Sequence, residues 1–207
     1  MRQALWFLSF ILLLTSPSAS HAEEKWISLF DGKTLGSWQE TNFASGGEVT
    51  VKDGHIILPQ GGDLSGINLK EAPATQNYEI TLSAQKTQGS DFFCALTFPI
   101  GEKCSTFVVG GWGGSVTGIS SINGCDASEN GTTRFMKYEE GRWYRIRVKV
   151  TDKTLQAWVD EELMVNIELE GLKIDMRAGE IELSKPLGIA SFRTKSALKD
   201  IAWRKVK

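Results

Sequence analysis

The amino-acid sequence predicts an all-β domain, and the favoured architecture is a sandwich of two antiparallel sheets. Apolar and polar residues alternate over many short segments, as expected for strands with one buried and one solvent-facing side. Turn signals rich in Gly, Asp and Pro separate these segments, and no stretch of useful length has a helical period. About a dozen strands without helices are typical of a sandwich or a barrel, and the two-sheet sandwich fits better.

Residues 1–22 have the pattern of a cleaved secretory signal. Arg2 precedes an apolar run from Ala4 to Leu14, and Ser20-His21-Ala22 places small residues at the −3 and −1 positions of a cleavage site. The run is shorter than the roughly 20 residues that span a bilayer. We therefore expect a protein exported to the periplasm or beyond, with one domain at residues 23–207 and no membrane insertion after cleavage. An uncleaved membrane anchor is the alternative.

The charge of the chain excludes one class of partner. The formal net charge is −2, from 23 basic and 25 acidic residues, and no basic block stands out. A slightly acidic chain without a basic patch is a poor ligand for nucleic acid. Nucleic acid is therefore not an expected partner.

The predicted domain opens with WISLFDGKTLGSW, residues 26–38. Its first apolar residues suit an edge strand that ties the N-terminus to a sheet. Asp31-Gly32 fits a tight turn, because Gly tolerates positive φ and Asp hydrogen-bonds the backbone that follows it. Trp38 then returns to the core, so the segment is predicted to close the sandwich.

The clearest alternation lies in two longer segments further along the chain. Apolar residues occupy every second position from Tyr78 to Ala84 and again from Tyr144 to Val150. Each pattern predicts a half-buried strand. Further short strands are predicted at EVTVK, HIILP, SGINL, FFCALTF, KCSTFVV, LQAWV, LMVNIEL, LGIASF and DIAWRKV.

Three cysteines, Cys94, Cys104 and Cys125, bear on a disulfide. Export permits a bridge. A turn centred on Pro99 between two strands would place Cys94 opposite Cys104, which makes that pair the favoured bridge. A Cys104–Cys125 bridge is the competing arrangement. A zinc site is not expected, because the sequence has no C-x-x-C motif.

The stretch from Gly110 to Thr133 interrupts the alternation. It reads GGWGGSVTGISSINGCDASENGTT and is rich in Gly, Ser and Asn. Loops of this length in a compact domain are usually functional or disordered. A functional loop and a mobile connection between sheets are therefore both open.

Three segments carry a resemblance to a known family. WISLFDGKTLGSW, GRWYRIRVKV with LQAWVDEELMVN, and LGIASFRTKSALKDIAWRKVK are similar to the opening, the paired strands and the closing strands of the 3-keto-disaccharide hydrolase-like domains of exported bacterial proteins. The resemblance covers most of residues 23–207. It implies a concanavalin A-like jelly roll and an activity on 3-keto-glycosides.

The middle of the chain departs from the family pattern. Members often have an Asn-Ser-Gly step before a strand ending in Arg, followed by a strand starting Tyr-Glu. Here Asp91 stands near the Asn-Ser-Gly position and no Tyr-Glu start follows. The resemblance therefore implies the fold, whereas site residues have to be argued from this chain.

The residues exclude one route of glycoside cleavage and leave another open. Ordinary glycosidases flank the bond with two carboxylates, and the E-x-D-x-x-E pattern of the glucanases with this fold is absent. A 3-keto-sugar can instead lose its acidified C2 proton to one base and expel the C1 substituent. Such a site needs one base and a cation or donor for the enolate oxygen.

The segment CDASENGTTR, residues 125–134, is the strongest candidate site. Asp126 and Glu129 are candidate bases and Arg134 a candidate enolate stabiliser. Asn130 is predicted to bind a sugar hydroxyl, and Trp112 offers an aromatic platform for a pyranose ring. Asp91 and Arg193 complete the candidate substrate-binding residues. A solvated polar loop is the competing interpretation.

Two further interpretations involve a metal and a histidine. Asp126 to Gly131 reads D-x-S-x-N-G, which resembles the first half of a calcium loop, but Lys137 occupies the position of the closing Glu. A loop-held divalent ion such as calcium is therefore an open alternative, and the residues indicate no other cofactor. His55, the one histidine outside residues 1–22, is a candidate base or a packed residue.

We therefore expect an exported carbohydrate-active domain that hydrolyses or eliminates 3-keto-glycosides. Its partner would be an oligosaccharide or glycoside. A non-catalytic glycan-binding module of the same fold and a cell-envelope interaction domain are the alternatives.

Overall fold

The computed structural model describes residues 24–206 of the chain. They form two antiparallel β-sheets packed face to face, with one short 3-10 helix, Glu180–Ser184. The predicted all-β jelly-roll sandwich is thereby confirmed. The proposed export signal, residues 1–22, lies outside the described residues.

The first sheet has eight strands. Its spatial order is β13 (Glu162–Glu168), β12 (Thr154–Val159), β11 (Trp143–Val150), β6 (Tyr78–Gly89), β15 (Thr194–Lys205), β4 (His55–Leu58) and β3 (Thr50–Lys52), with β1 (Ile27–Ser28) also paired to β15.

The second sheet has seven strands. Its order is β10 (Arg134–Phe135), β9 (Val116–Ser120), β8 (Lys103–Gly111), β7 (Cys94–Ile100), β14 (Leu187–Phe192), β5 (Leu64–Leu69) and β2 (Trp38–Glu40).

The core fills the space between the sheets because each central strand points its apolar residues inward. Ile80 and Leu82 of β6 lie beside Ile146 and Val148 of β11, as the alternation predicts, and all are buried. The facing sheet contributes Leu96, Phe98, Phe107, Ile119 and Ile189. Side chains on the opposite side of the second sheet are therefore free to build a site.

The N-terminal segment closes the sandwich as predicted. β1 pairs with β15, with Ile27 opposite Trp203. Asp31 accepts hydrogen bonds from the backbone N–H groups of Lys33 and Thr34 at 2.7 and 2.8 Å, and these bonds lower the pKa of Asp31. Trp38 is buried, and its indole N–H donates to the Leu29 carbonyl at 2.9 Å.

The predicted Cys94–Cys104 disulfide is wrong. The β7–β8 hairpin turns at Gly101-Glu102 and not at Pro99, so Cys104 lies opposite Pro99 and Cys94 opposite Val109. Five residues of strand separate the two positions, about 17 Å at the usual rise, whereas a disulfide needs Cα atoms within about 7 Å. All three thiols are free, so the alternative Cys104–Cys125 bridge is not formed either.

Thiol labelling tests this correction. Burial raises the pKa of the Cys94 and Cys104 thiols, so little thiolate is present at neutral pH, whereas Cys125 is exposed. We expect maleimide to label Cys125 rapidly in the native protein and all three cysteines after unfolding without reductant, as counted by mass spectrometry. A single label in the unfolded, unreduced protein would mean that two of the cysteines form a disulfide, which would contradict the structure.

The Gly-, Ser- and Asn-rich stretch from Gly110 to Thr133 is not a loop throughout, and its interpretation as a connection between the two sheets is wrong. It contains β9, which is buried along its whole length and pairs with both β8 and β10. The remainder folds over the outer face of the seven-stranded sheet, where Ala127 packs against Val108 and Val116. The segment therefore belongs to the wall of a site.

Candidate functional site

A concave pocket of about 320 Å³ opens on the outer face of the seven-stranded sheet. Side chains alternate along β7 and β8, so Leu96 and Phe107 enter the core while Ala95 and Val108 face outward. The outward residues form the floor. It consists of Leu64, Ala95, Thr106, Val108 and Ser120.

Aromatic and apolar side chains form the walls of the pocket. Phe92 and Phe192 stack with their ring centroids 5.7 Å apart, and Ile181 of the 3-10 helix packs against the same cluster. Trp112 stands at the rim with 40% of its surface exposed. A sugar ring presents an apolar C–H face, so this lining suits a pyranose.

Arg177 supplies a cation to the pocket. Its Nη1 donates to Asp126 Oδ2 at 2.5 Å, and Asp126 Oδ1 accepts the Ser120 hydroxyl at 3.1 Å. Within residues 24–206 this is the one hydrogen bond of the guanidinium group, whose remaining N–H groups are available to a ligand. The Arg177 side chain is 58% exposed, and its guanidinium carbon lies 6.0 Å from the Trp112 ring centroid.

Two loops that pair with each other place Arg177 beside Asp126. The segment around Ile122 forms a bridge with Ile174, and Ser121 and Asp175 exchange two backbone hydrogen bonds of 2.8 and 3.2 Å. The Asn123 side chain accepts the N–H of Lys173 at 2.8 Å. The chain after this pairing therefore runs along the pocket edge.

Asp91 fixes the Trp112 turn. Its Oδ1 accepts the Phe92 N–H at 2.8 Å, and its Oδ2 accepts the Gly113 N–H at 2.9 Å. Trp112 has a φ of +50°, which is uncommon for a bulky residue, and Gly113 and Gly114 continue the left-handed backbone. Such conformations often occur at ligand sites, where the surroundings hold them.

Glu180 is the second carboxylate that lines the pocket. It begins the 3-10 helix, and its Oε1 accepts the Ala44 N–H at 3.2 Å. No partner of Oε2 lies within hydrogen-bond distance among the residues from 24 to 206. Glu180 therefore has a carboxylate oxygen available to a bound ligand.

The residues of the predicted site at 125–134 do not act together, because the structure places them in different surroundings. Asn130 is a structural residue: its amide donates to the carbonyls of Ile119 and Asp126 at 2.7 and 2.8 Å and accepts from Thr132. Glu129 and Arg134 are exposed and do not line the pocket. Asp126 reaches the pocket through Arg177.

The other candidate residues lie at or beyond the pocket edge. Asp91 and Trp112 line it, whereas Arg193 forms an ion pair with Asp63 at 2.8 Å and stacks its guanidinium 5.0 Å from the Phe192 ring. His55 lies on β4 in the other sheet, 4.9 Å from the Trp143 ring. His55 is thus separate from the pocket.

Sequence reasoning missed Arg177, Glu180 and the aromatic pair beneath them. Arg177 and Glu180 lie in DMRAGE, within the long connection from residue 169 to 186, which has no strand pattern. A connection of this length without a strand or helix period is often functional, and this could have marked it as part of a site. The contact between Arg177 and Asp126 was not visible in the sequence, because it depends on pairing between segments about 50 positions apart.

The described residues contain neither a metal-binding cluster nor a membrane-spanning helix. Between residues 24 and 206, no group of three or more His, Cys, Asp or Glu side chains is placed to hold a metal ion. The same part of the chain has no helix that is both long and apolar enough to cross a bilayer.

The fold and the lining of the pocket define a two-sheet β-sandwich domain with an aromatic-lined pocket, and the family match makes it a carbohydrate-active domain. More specifically, the chain belongs to the family of 3-keto-alpha-glucoside-1,2-lyase-like domains, which it matches over residues 25–207. This confirms the family that the sequence resembles. No curated relative matches the chain at a significant level.

Solved structures share the fold at low sequence identity. The carbohydrate-binding module CBM66 from Bacillus subtilis has a TM-score of 0.57 at 10% identity, covering 82% of this chain and 96% of the module. The Bacillus licheniformis beta-glucanase has a TM-score of 0.56 at 10% sequence identity, and the match covers 90% of this chain and all of the enzyme. Domain 4 of the Geobacillus stearothermophilus arabinanase AbnA was solved with arabinotriose. It has a TM-score of 0.53 at 14% sequence identity, and the match covers 82% of each chain.

Proposed function

We propose that the pocket cleaves 3-keto-glycosides by elimination across C1 and C2. The observation that carries the proposal is Arg177: a guanidinium with unused donors in the lining of an aromatic-lined pocket, which Glu180 also lines with a free carboxylate oxygen. Membership of a family of lyase-like domains supports the reaction class.

The reaction needs only one base and one enolate stabiliser. The base removes the C2 proton, and the electron pair of the C–H bond forms an enolate with the negative charge on the C3 oxygen. The ketone then reforms as the C1–O bond breaks and a C1=C2 double bond appears. The leaving alcohol takes up a proton, and addition of water to the product would complete a net hydrolysis.

Each pocket residue has a role in this chemistry. Glu180 is assigned as the base, and Arg177 donates to the enolate oxygen, where the charge develops. Asp126 positions Arg177, and Asp91 holds Trp112 as the platform for the sugar ring. Glu129, Arg134 and His55, which the sequence suggested, have no part in this arrangement.

Export is part of the proposal. The pattern of residues 1–22 supports secretion, and an oligosaccharide substrate would be met in the periplasm or outside the cell.

A glycan-binding module is the second candidate. It is favoured by one observation: in the described residues both carboxylate oxygens of Asp91, and both of Asp126, already accept hydrogen bonds, as in a site built for binding. A carbohydrate-binding module and an arabinotriose-bound domain have the same fold. This candidate predicts affinity for a glycan without turnover.

An absorbance assay tests the proposed elimination. The product has its C1=C2 double bond conjugated with the C3 ketone, so a purified sample acting on a 3-keto-disaccharide should generate a new ultraviolet absorbance. The assay is run in calcium-containing and in chelated buffer. Addition of water would bleach the chromophore, so the absorbance is followed from the first turnover. Release of the leaving sugar without even a transient chromophore would contradict elimination, and release of neither would favour the binding module.

Control variants test the alternative location of the site. Glu129→Gln and Arg134→Gln alter exposed side chains outside the pocket, so both proteins should turn over at close to the wild-type rate. A large loss in either variant would move the active site to the 125–134 segment.

Replacement of Trp112 by alanine should weaken glycan binding without unfolding the domain. The ring is 40% exposed at the pocket rim, so its loss removes a stacking surface and creates no core cavity. We expect Kd, measured by calorimetry on an unoxidised disaccharide, to rise about 10-fold. An unchanged Kd would exclude Trp112 as the platform.

A further inference from the structure

A second groove lies beside the pocket and has no role in the elimination. It is a shallow groove of about 390 Å³ that is open to solvent, and its lining includes Lys86, Ser115, Phe135 and Lys137. The turn from Trp112 to Gly114 separates the two cavities, with Trp112 lining the pocket and Gly113 and Gly114 lining the groove. A sugar chain that passes over this turn would therefore enter both.

The groove is basic in a chain whose formal net charge is −2. Its lining contains two lysines and no Asp or Glu. Among residues 24–206, neither Lys86 nor Lys137 has a carboxylate within the 4.0 Å of an ion pair. Lys86 Nζ lies at the separating turn, 3.9 Å from where a Cβ on Gly114 would stand.

An exposed aromatic ring accompanies the two ammonium groups. Phe135 lies on the edge strand β10, opposite Val116, and 75% of its surface is exposed. The Ser115 hydroxyl has no hydrogen-bond partner in the described part of the chain. A ring, a hydroxyl and two unpaired cations together match a sugar that carries an anionic substituent.

We propose that this basic groove binds an anionic sugar, bearing a carboxylate or a sulfate ester, which is attached to the unit held in the pocket. The inference rests on the proposed function, because it makes the anionic unit the leaving group of the elimination. Lys86 and Lys137 pair with its charge, and Phe135 contacts its apolar face.

Binding of unoxidised disaccharides tests the groove apart from catalysis, because they lack the ketone and cannot be eliminated. Three probes carry glucose, glucuronate or glucose 6-sulfate at the reducing end. We expect at least one anionic probe to bind about 10-fold more tightly than the neutral one at low salt, with the advantage shrinking as ionic strength rises. The preferred anion then identifies the substituent.

Charge variants assign the preference to the groove. The double variant K86Q/K137Q should bind all three probes alike, whereas K33Q/K52Q, which removes two exposed lysines outside the groove, should keep the preference. Equal affinity of the wild-type protein for the three probes, or a preference that survives K86Q/K137Q, would overturn the inference.

The outcomes separate this inference from the proposed function. Elimination of a neutral keto-disaccharide without any anion preference would refute the groove alone. A lysine-dependent preference without elimination of any keto-sugar would leave the groove standing and refute the catalysis.

Discussion

Arg177→Gln is expected to lower the kcat of keto-glycoside elimination by about 10² to 10³, because the variant cannot stabilise the enolate charge. The substrate Kd should change by less than about 10-fold, since the aromatic walls remain in place. The side chain is 58% exposed, so the variant should fold and melt like the wild-type protein. Single-turnover kinetics on a 3-keto-disaccharide separates the two effects.

Asp126→Asn provides the matched comparison. It removes the charge that holds Arg177 but leaves the guanidinium group in the pocket, so a loss of about 10-fold in kcat is expected. A larger loss in Asp126→Asn than in Arg177→Gln would contradict these roles and make Asp126 itself the reacting group, as the sequence had suggested.

Glu79→Ala is expected to lower the free energy of unfolding by about 3 kcal/mol. Glu79 is 1% exposed although it lies on the outer face of the eight-stranded sheet. Its two carboxylate oxygens accept from Arg147 at 2.6 Å and from Arg204 at 2.7 and 2.8 Å. The alanine variant leaves two arginines close together without the anion between them, and urea unfolding measures the cost.

Two controls isolate the ion pairs. Glu102→Ala, in the exposed β7–β8 turn, removes an equal charge and should change the free energy of unfolding by less than about 0.5 kcal/mol. Glu79→Gln keeps most of the side-chain volume, so its free energy of unfolding should lie between those of Glu79→Ala and Glu102→Ala. A Glu79→Ala protein as stable as wild type would show that the arginines do not need the carboxylate.

Local patterns in the sequence were sufficient to predict most of the fold. The period-2 segments at β6 and β11 became central strands, and the Asp31-Gly32 turn formed as expected. β9 was missed, because Val116–Ser120 carries too few large apolar residues to stand out from its Gly- and Ser-rich surroundings. The predicted disulfide was wrong because the hairpin turn lies two residues further along than expected, and this shift changes every cross-strand partner.

Less of the site could be predicted, because long-range pairing builds it. Trp112 and Asp91 both line the pocket, because both lie next to strands of the central hairpin, and their roles in substrate binding stay predictions. Asn130 has the residue type of a sugar ligand, yet the backbone carbonyls of its own loop occupy its amide. Arg177 could not be found without knowing that residues 121–123 pair with residues 173–175.

Exchange of the C2 proton tests the central claim most directly. A 3-keto-glucose analogue with hydrogen in place of the C1 leaving group cannot be eliminated, so deprotonation at C2 can be followed by NMR in D₂O. The wild-type protein should exchange C2–H for deuterium, and Glu180→Gln and Arg177→Gln should be at least about 10²-fold slower. Binding of the analogue without exchange above the buffer rate would contradict the proposed elimination.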